Sequence, residues 1–283
     1  MRKFQEVKNK VRIAKEFLND MERTGKDCMV GYGNARSNLS RALANICCSG
    51  GVECHIISPA DDDGFRIETA NSRIGHICNA DFRYCLKSDV AGTVEAVLEE
   101  CRAKGKEPYY IYGDKYGHGN EAVPVRAYVD VYEEIMRQEK DMGVEFDYIF
   151  LATGTGMTQA GLVAGQRRYG GQKQVIGISV ARKKGQAASE IRKYVEAYEG
   201  AAADSLTIDV LDCYLAGGYG LYNDAIRRTI HEAISLNGVP LDATYTGKAF
   251  WGMRDYMRKT GIKNRNILFI HTGGTPLFFD GLL

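Results

Sequence analysis

Short apolar, β-branched runs alternate along this chain with longer stretches whose apolar positions recur every three to four residues. The short runs predict strands over Cys28–Gly31, Glu53–Ser58, Asp81–Cys85, Tyr109–Tyr112, Tyr148–Ala152, Val175–Val180, Thr207–Leu211 and Ile267–His271. "VRIAKEFLNDMERTG" puts Val11, Ala14, Phe17, Leu18 and Met21 on one helical face. "GTVEAVLEECRAKG" and "VRAYVDVYEEIMRQEKDMG" repeat the pattern and stop at glycine. Such alternation predicts α/β architecture, parallel sheets with helices on both faces. The best boundary is Val123-Pro124, after the polar, glycine-rich "YGDKYGHGNEA". It divides the chain into two α/β units.

The stretch "FLATGTGMTQAGLVAG", Phe150 to Gly165, leaves a strand through glycines and hydroxyls and enters a helix at once. Glycines let the backbone aim successive N–H groups at one spot, and a helix N-terminus adds its positive dipole end, so the stretch predicts an anion site. A nucleotide P-loop is excluded, because no Lys follows. A dinucleotide loop finds Gly154 and Gly156 but meets Gln159 at its third glycine. The next strand then runs into Ala181-Arg182-Lys183, which leaves an NADP-dependent oxidoreductase as the rival reading. A single phosphate monoester would be held by backbone N–H groups and the hydroxyls of Thr153, Thr155 and Thr158.

Composition narrows the partner. Lys and Arg total 37 against 36 Asp and Glu, so neither a nucleic-acid footprint nor an acidic tail is present, and the partner is expected to be small. No apolar run is long enough to span a membrane, and the charged start has no signal-peptide block. The eight cysteines form no C-x-x-C pair and read as buried free thiols of a cytoplasmic protein. No metal site is expected. Cys54-His55 with Cys78 or His76 fits no standard ligand spacing.

Further stretches fall in place around the phosphate loop. "VKNKVRIAKEFL" carries Asn9-Lys10 at a helix start, and "GYGNARSNLSRALA" carries Ser37-Asn38 before another. "LAGGYGLYNDAI" supplies Tyr219, "SLNGVPLDATYTGKAFWGM" supplies Tyr245-Thr246-Gly247-Lys248, and "ILFIHTGGTPLFF" supplies His271-Thr272-Gly273-Gly274. In this order, over nearly the whole chain, they resemble fold-type II pyridoxal-phosphate enzymes, tryptophan synthase β-like. The nearest group is that of the 1-aminocyclopropane-1-carboxylate deaminases and D-cysteine desulfhydrases.

The resemblance implies two three-layer α/β/α domains with pyridoxal 5'-phosphate in the cleft. Residues 1–14 plus 125–283 would form the large cofactor-binding domain and 15–124 the small one. Lys10 matches the lysine that carries the cofactor on its amine and moves a proton at Cα. Asn38 matches the partner of the cofactor's ring hydroxyl, and Ser37 the serine at the substrate carboxylate. Arg36, Ser37, Asn38 and Leu39 would line the substrate. Thr153, Gly154, Thr155, Gly156, Met157, Thr158 and Thr272 would hold the phosphate end. Tyr219 and Tyr245 match two active-site tyrosines, acid/base or pocket-lining. Thr246 matches the residue facing the pyridine nitrogen, which is Glu in the deaminases and Thr in the desulfhydrases. A neutral hydroxyl there suits prompt loss of a β-leaving group.

Departures from the group mark this chain. Val7 and Lys8 stand for two glycines, Ile13 for a basic residue, Arg36 for Gln, Leu39 for a polar residue and Met157 for a glycine. Arg36, whose guanidinium fork suits a carboxylate or phosphate, raises the expectation of a substrate with an extra acidic group. The group also carries an N-terminal strand segment before the lysine that this sequence lacks, so the sequence is expected to begin inside a longer protein, to dispense with that segment, or to borrow it from a partner chain. The function implied is a cytoplasmic, homodimeric lyase or deaminase acting on a small amino acid by α,β-elimination to a 2-keto acid and ammonia. β-Replacement, cyclopropane deamination, and a catalytically weak cofactor-binding protein are the alternatives.

Overall fold

The computed structural model describes residues 9–61 and 66–280. The chain forms two compact units, one spanning Lys10–Val123 and the other running from Pro124 onward. In the N-terminal unit, α1 (Asn9–Arg23), β1 (Cys28–Tyr32), α2 (Asn38–Gly50), β2 (Glu53–Pro59), α3 (Ala70–Ile77), β3 (Asp81–Cys85), α4 (Val90–Ala103) and β4 (Pro108–Tyr110) follow one another. Their strands form a parallel sheet of order β3-β2-β1-β4. The C-terminal unit contains α5 (Ala122–Met142), β5 (Tyr148–Thr153), α6 (Met157–Tyr169), β6 (Gln174–Ser179), α7 (Lys184–Glu199), β7 (Asp209–Leu211), α8 (Asp224–Asn237), α9 (Thr246–Thr260), β8 (Ile267–Ile270) and α10 (Thr275–Phe278). Its sheet, β7-β6-β5-β8, is also parallel and repeats the same winding.

Every strand expected from the apolar runs is present, with ends shifted by one or two residues. The face of α1 differs from the expected one. Ile13, Ala14, Phe17 and Met21 are buried, whereas Val11 and Leu18 lie at its margins. The seam is set by tertiary contact within the N-terminal unit: Phe17 packs on Tyr109, and Tyr109 Oη donates to buried Asp20 at 2.9 Å. By its contacts α1 therefore groups, from Lys10 on, with the sheet of Lys10–Val123, whereas the sequence drew the line between 14 and 15.

In the C-terminal unit α6 is buried from Met157 through Gly165. A helix without a polar face needs close neighbours. Gly161 and Gly165 supply the room, since a Cβ at either would stand 2.2 Å and 2.5 Å from the Cβ atoms of Tyr128 and Tyr132 on α5. The core beside it comprises Phe150, Ile176, Ile178, Val180, Tyr214, Ala249 and Met253. Among the described residues no helix is long and apolar enough to cross a membrane. Cys28, Cys47, Cys54 and Cys101 are buried as expected, but Cys48 and Cys213 are exposed.

Candidate active site

Ligands of open parallel sheets collect beyond the strand carboxyl ends, where the winding reverses. In the C-terminal unit that place lies between β5 and β8, and the chain leaves these strands through Thr153–Gly156 and His271–Gly274. Gly156 caps α6 with φ +97°, and a Cβ there would also meet Ile191 Cγ1 at 2.8 Å, so both backbone and space require glycine. The first turn of α6 holds no acidic residue. The leading N–H groups of a helix have no intrahelical acceptor, and this is the arrangement in which helix N-termini bind anions. Thr153 Oγ1 is buried and has no hydrogen-bond partner among the described residues. Arg182 donates to the Gly154 carbonyl and ties the loop from behind.

These contacts remove the dinucleotide reading. Gln159 is fully buried and donates to Asp209 O at 2.8 Å. Its amide fills the space over Gly177, where a Cβ would stand 2.0 Å from Gln159 Oε1. The close approach that a dinucleotide fold obtains from glycine on the helix is obtained here from glycine on β6. Arg182, of the Ala181-Arg182-Lys183 stretch that left the NADP reading open, is spent on the loop itself.

The N-terminus of α9 is organised by one residue the sequence reading passed over. Asp242, fully buried, accepts from Thr244 N at 2.9 Å, Tyr245 N at 2.6 Å, Thr246 N at 3.1 Å and Thr246 Oγ1 at 2.8 Å. Thr246 Oγ1 in turn accepts from Asp242 N at 2.9 Å. Burial pushes the Asp242 carboxyl above its usual range, against these hydrogen bonds, which favour the charged form. The β8 loop closes on it, for a Cβ at Gly274 would stand 2.2 Å from Asp242 Oδ2, and Gly274 has φ +90°. Thr272, two residues before Gly274, is buried, and His271 Nε2 bonds Pro240 O at 3.0 Å.

The Tyr219 and Tyr245 hydroxyls share a hydrogen bond, with the rings edge-on at 5.8 Å. Tyr219 belongs to a glycine-rich loop that Lys248 holds. Lys248 is fully buried, and its Nζ donates to Leu215 O at 2.7 Å and Gly218 O at 2.8 Å. Burial lowers its ammonium to about 8.

In the N-terminal unit the corresponding exit follows β1. Ser37 caps α2, accepting from Ser40 N at 3.1 Å, so its helix-cap role is real, and its own hydroxyl proton remains to be donated. Gly33 admits this cap, since a Cβ there would stand 2.5 Å from both Ser37 Oγ and Ser40 Oγ. Asn38 is buried, and its Oδ1 accepts from Asn71 Nδ2 at 2.8 Å. Asn71 also donates to Arg36 O at 3.1 Å, and its own Oδ1 has no partner among the described residues. Leu39 points into the core. Arg36 forms an ion pair with Asp61 at 2.6 Å, both largely shielded. One arm of its fork is therefore engaged by Asp61 before any substrate anion arrives. Lys10 is half-buried in the first turn of α1, and burial lowers its ammonium from 10.5 to about 8. Val7 and Lys8 lie outside the described residues.

The family model for pyridoxal-phosphate dependent enzymes matches residues 9–273. The chain belongs to this family. It is 29% identical over 280 residues to a 1-aminocyclopropane-1-carboxylate deaminase of Rhizobium rhizogenes, and 30% identical to one of Burkholderia vietnamiensis, covering 95% of this chain and 82% of each relative. A crystal structure of an ACC deaminase homologue superposes with TM-score 0.81 at 27% identity, covering 97% of this chain and 83% of the other. A hydrogen sulfide-producing enzyme from Fusobacterium nucleatum shares the fold, with TM-score 0.65 at 19% identity over 95% and 87% of the two chains. The fold is thus that of the fold-type II pyridoxal-phosphate enzymes, and the cofactor is pyridoxal phosphate.

The residues present fit that cofactor. The orphaned Thr153 hydroxyl and the glycine turn into α6 suit its phosphate, and the buried Thr246 offers a hydrogen-bonding atom for its ring. Within the C-terminal unit the structure joins Tyr219 to Tyr245 and links Thr246 to Asp242. Within the N-terminal unit it gathers Arg36, Ser37 and Asn38 around Asn71 and the α2 cap. Asp242, Asn71 and Lys248 were missed as site residues. Asp242 left a trace in sequence, an acid placed to cap the "TYTGK" helix, and Lys248 stands within that stretch, whereas Asn71 left none.

Proposed function

We propose that the protein removes the α-proton and a β-leaving group from a small amino acid, yielding a 2-keto acid and ammonia after water completes the reaction. The observation that carries this reading is Thr246. It stands where the resemblance places Glu in the cyclopropane deaminases, and its hydroxyl proton is committed to Asp242. A hydroxyl has one proton to give, so towards the cofactor ring Thr246 is an acceptor only. Bound pyridoxal phosphate supplies a sink for the electron pair left when the Cα–H bond breaks.

The chain's own groups take the remaining roles. Lys10, with an amine partly neutral near neutral pH, carries the cofactor and moves the Cα proton. Ser37 Oγ donates to the substrate carboxylate. Asn38, its oxygen held by Asn71, is left to donate Nδ2–H to the ring hydroxyl oxygen. The Tyr219–Tyr245 pair delivers a proton to the departing group. The Thr153–Thr158 turn anchors the phosphate. Deamination of 1-aminocyclopropane-1-carboxylate is the second reading, favoured by the names of the curated relatives. The test is release of keto acid and ammonia from β-substituted D- and L-amino acids and from the cyclopropane amino acid in parallel. Turnover of the cyclopropane substrate alone would overturn the proposal. The reading carries with it a cytoplasmic homodimer, which cell fractionation and light scattering test.

A further inference from the structure

A second cluster of chemically able side chains lies at the amino ends of the N-terminal unit's strands, the end opposite the Ser37 loop. Cys28 opens β1 and pairs in register with Glu53 of β2; His55, two residues on, pairs with Asp81 of β3. Register partners, and residues two apart on a strand, share one face of a sheet. Cys28, Glu53, His55 and Asp81 therefore project together. Cys101, in the last turn of α4, reaches the same place, with its Sγ 3.6 Å from Cys28 Sγ. The two sulfurs and a His55 ring nitrogen all lie within 4.8 Å of one another, and all three residues are buried. His55 Nε2 contacts Glu53 Oε1 at 3.0 Å, and Nδ1 contacts Asp81 Oδ2 at 2.9 Å.

Two sulfurs and an imidazole nitrogen this close can be three ligands of one tetrahedral ion. Zinc–sulfur bonds of about 2.3 Å place two sulfurs about 3.8 Å apart. The observed sulfur–sulfur separation is 3.6 Å, so only a small expansion is needed. Asp81 on Nδ1 fixes the ring so that Nε2 is the ligating atom, as a carboxylate behind a zinc-bound histidine does. Asp81 is itself held by Arg83 Nε at 2.6 Å. Glu53, partly exposed and outside this group of three, has its Oε1 3.0 Å from Nε2, which marks the ion's entry and offers an acceptor for a water in the fourth position.

We propose that Cys28, Cys101 and His55 form a zinc site, with a water bonded to Glu53 in the fourth position, that clamps β1, β2 and α4. The hydrated ion enters, all but one of its waters leave, and the two thiol protons, with any proton on Nε2, pass to solvent, with no change of oxidation state. The site the sequence weighed fails on geometry. Cys54 points to the opposite face of β2, where it meets Cys47, and His76 bonds Tyr84 Oη at 3.1 Å.

The test uses the full chain, reduced, stripped with a chelator, loaded with zinc and desalted, with cobalt substituted in parallel. The expected result is stoichiometric retained zinc, a raised melting temperature, and intense tetrahedral cobalt bands with thiolate charge transfer. The Cys28→Ser/Cys101→Ser double variant should lose all three, while Cys213→Ser, at an exposed thiol, keeps them. Asp81→Asn should weaken zinc binding by about 10–100-fold. If the double variant does not fold, Glu53→Gln carries the test through weaker zinc binding in chelator competition. Substoichiometric zinc in the reduced chain, octahedral cobalt, cobalt bands surviving in the double variant, or zinc affinity indifferent to Glu53→Gln overturns the site.

Discussion

Thr246 and Asp242 hold each other twice. The Thr246 hydroxyl donates to Asp242 Oδ2 at 2.8 Å and accepts Asp242 N–H at 2.9 Å. Removing the hydroxyl leaves both buried partners short. Thr246→Val should therefore destabilise the protein by about 1–3 kcal/mol, the usual cost of an orphaned buried polar group. Thr246→Ser, which restores the same two bonds, should recover most of that loss. Urea unfolding of both variants checks it.

The two glycines of the phosphate turn should separate on substitution. A Cβ at Gly154 would make an ordinary 3.5 Å contact with Val180, and the backbone there is not left-handed. Gly156 has φ +97° and a 2.8 Å clash waiting at Ile191. Gly156→Ala should cost about 1–3 kcal/mol of stability. Gly154→Ala should leave the melting temperature unchanged and reduce cofactor retention, because it adds bulk where the backbone approaches phosphate. Melting curves and cofactor titration distinguish the two.

Lys248 predicts a pH signature. Its folded pKa, about 8, lies below the 10.5 of an unburied lysine. Between these values the unfolded chain holds the extra proton, so this residue makes stability rise with pH across that window; below about 8 its desolvation cost is present in full. Lys248→Met should lose that rise relative to wild type. It also frees the Leu215 and Gly218 carbonyls and loosens the loop bearing Tyr219, so turnover should fall. Denaturant titrations of both proteins at several pH values give the difference directly.

Lys10 should show the same chemistry as a rate. Only the neutral amine attacks an aldehyde, and burial lowers the ammonium to about 8. Capture of pyridoxal phosphate by the stripped protein should accelerate through that pH and level off above it. A rate still climbing as for an ordinary lysine would contradict the assignment.

Much of this architecture is legible in the amino-acid sequence because buried parallel strands leave uninterrupted β-branched runs and anion loops leave glycines. The α1 face shifted because the seam depends on Tyr109, far along the chain, and on Asp20, a polar residue that joins the buried side. Asn71 and Asn38 meet across 33 residues, and Lys248 acts on carbonyls some thirty residues earlier; neither relation has a local pattern. Cys28 and Cys101 are 73 residues apart and are brought together only by the winding of the sheet and α4. The ion pair between Arg36 and Asp61 was equally hidden, and it changes what Arg36 can do.

The central claim is that Lys10 carries the cofactor, and Lys248 is the informative competitor, because burial lowers both amines to about 8. Lys248 is held by two carbonyls and is assigned a structural role. The direct measurement is borohydride reduction of the cofactor-loaded protein followed by peptide mapping. The account predicts the reduced cofactor on the peptide containing Lys10, and none on Lys10→Ala. Label on Lys248, or a protein that takes up no pyridoxal phosphate, would contradict it.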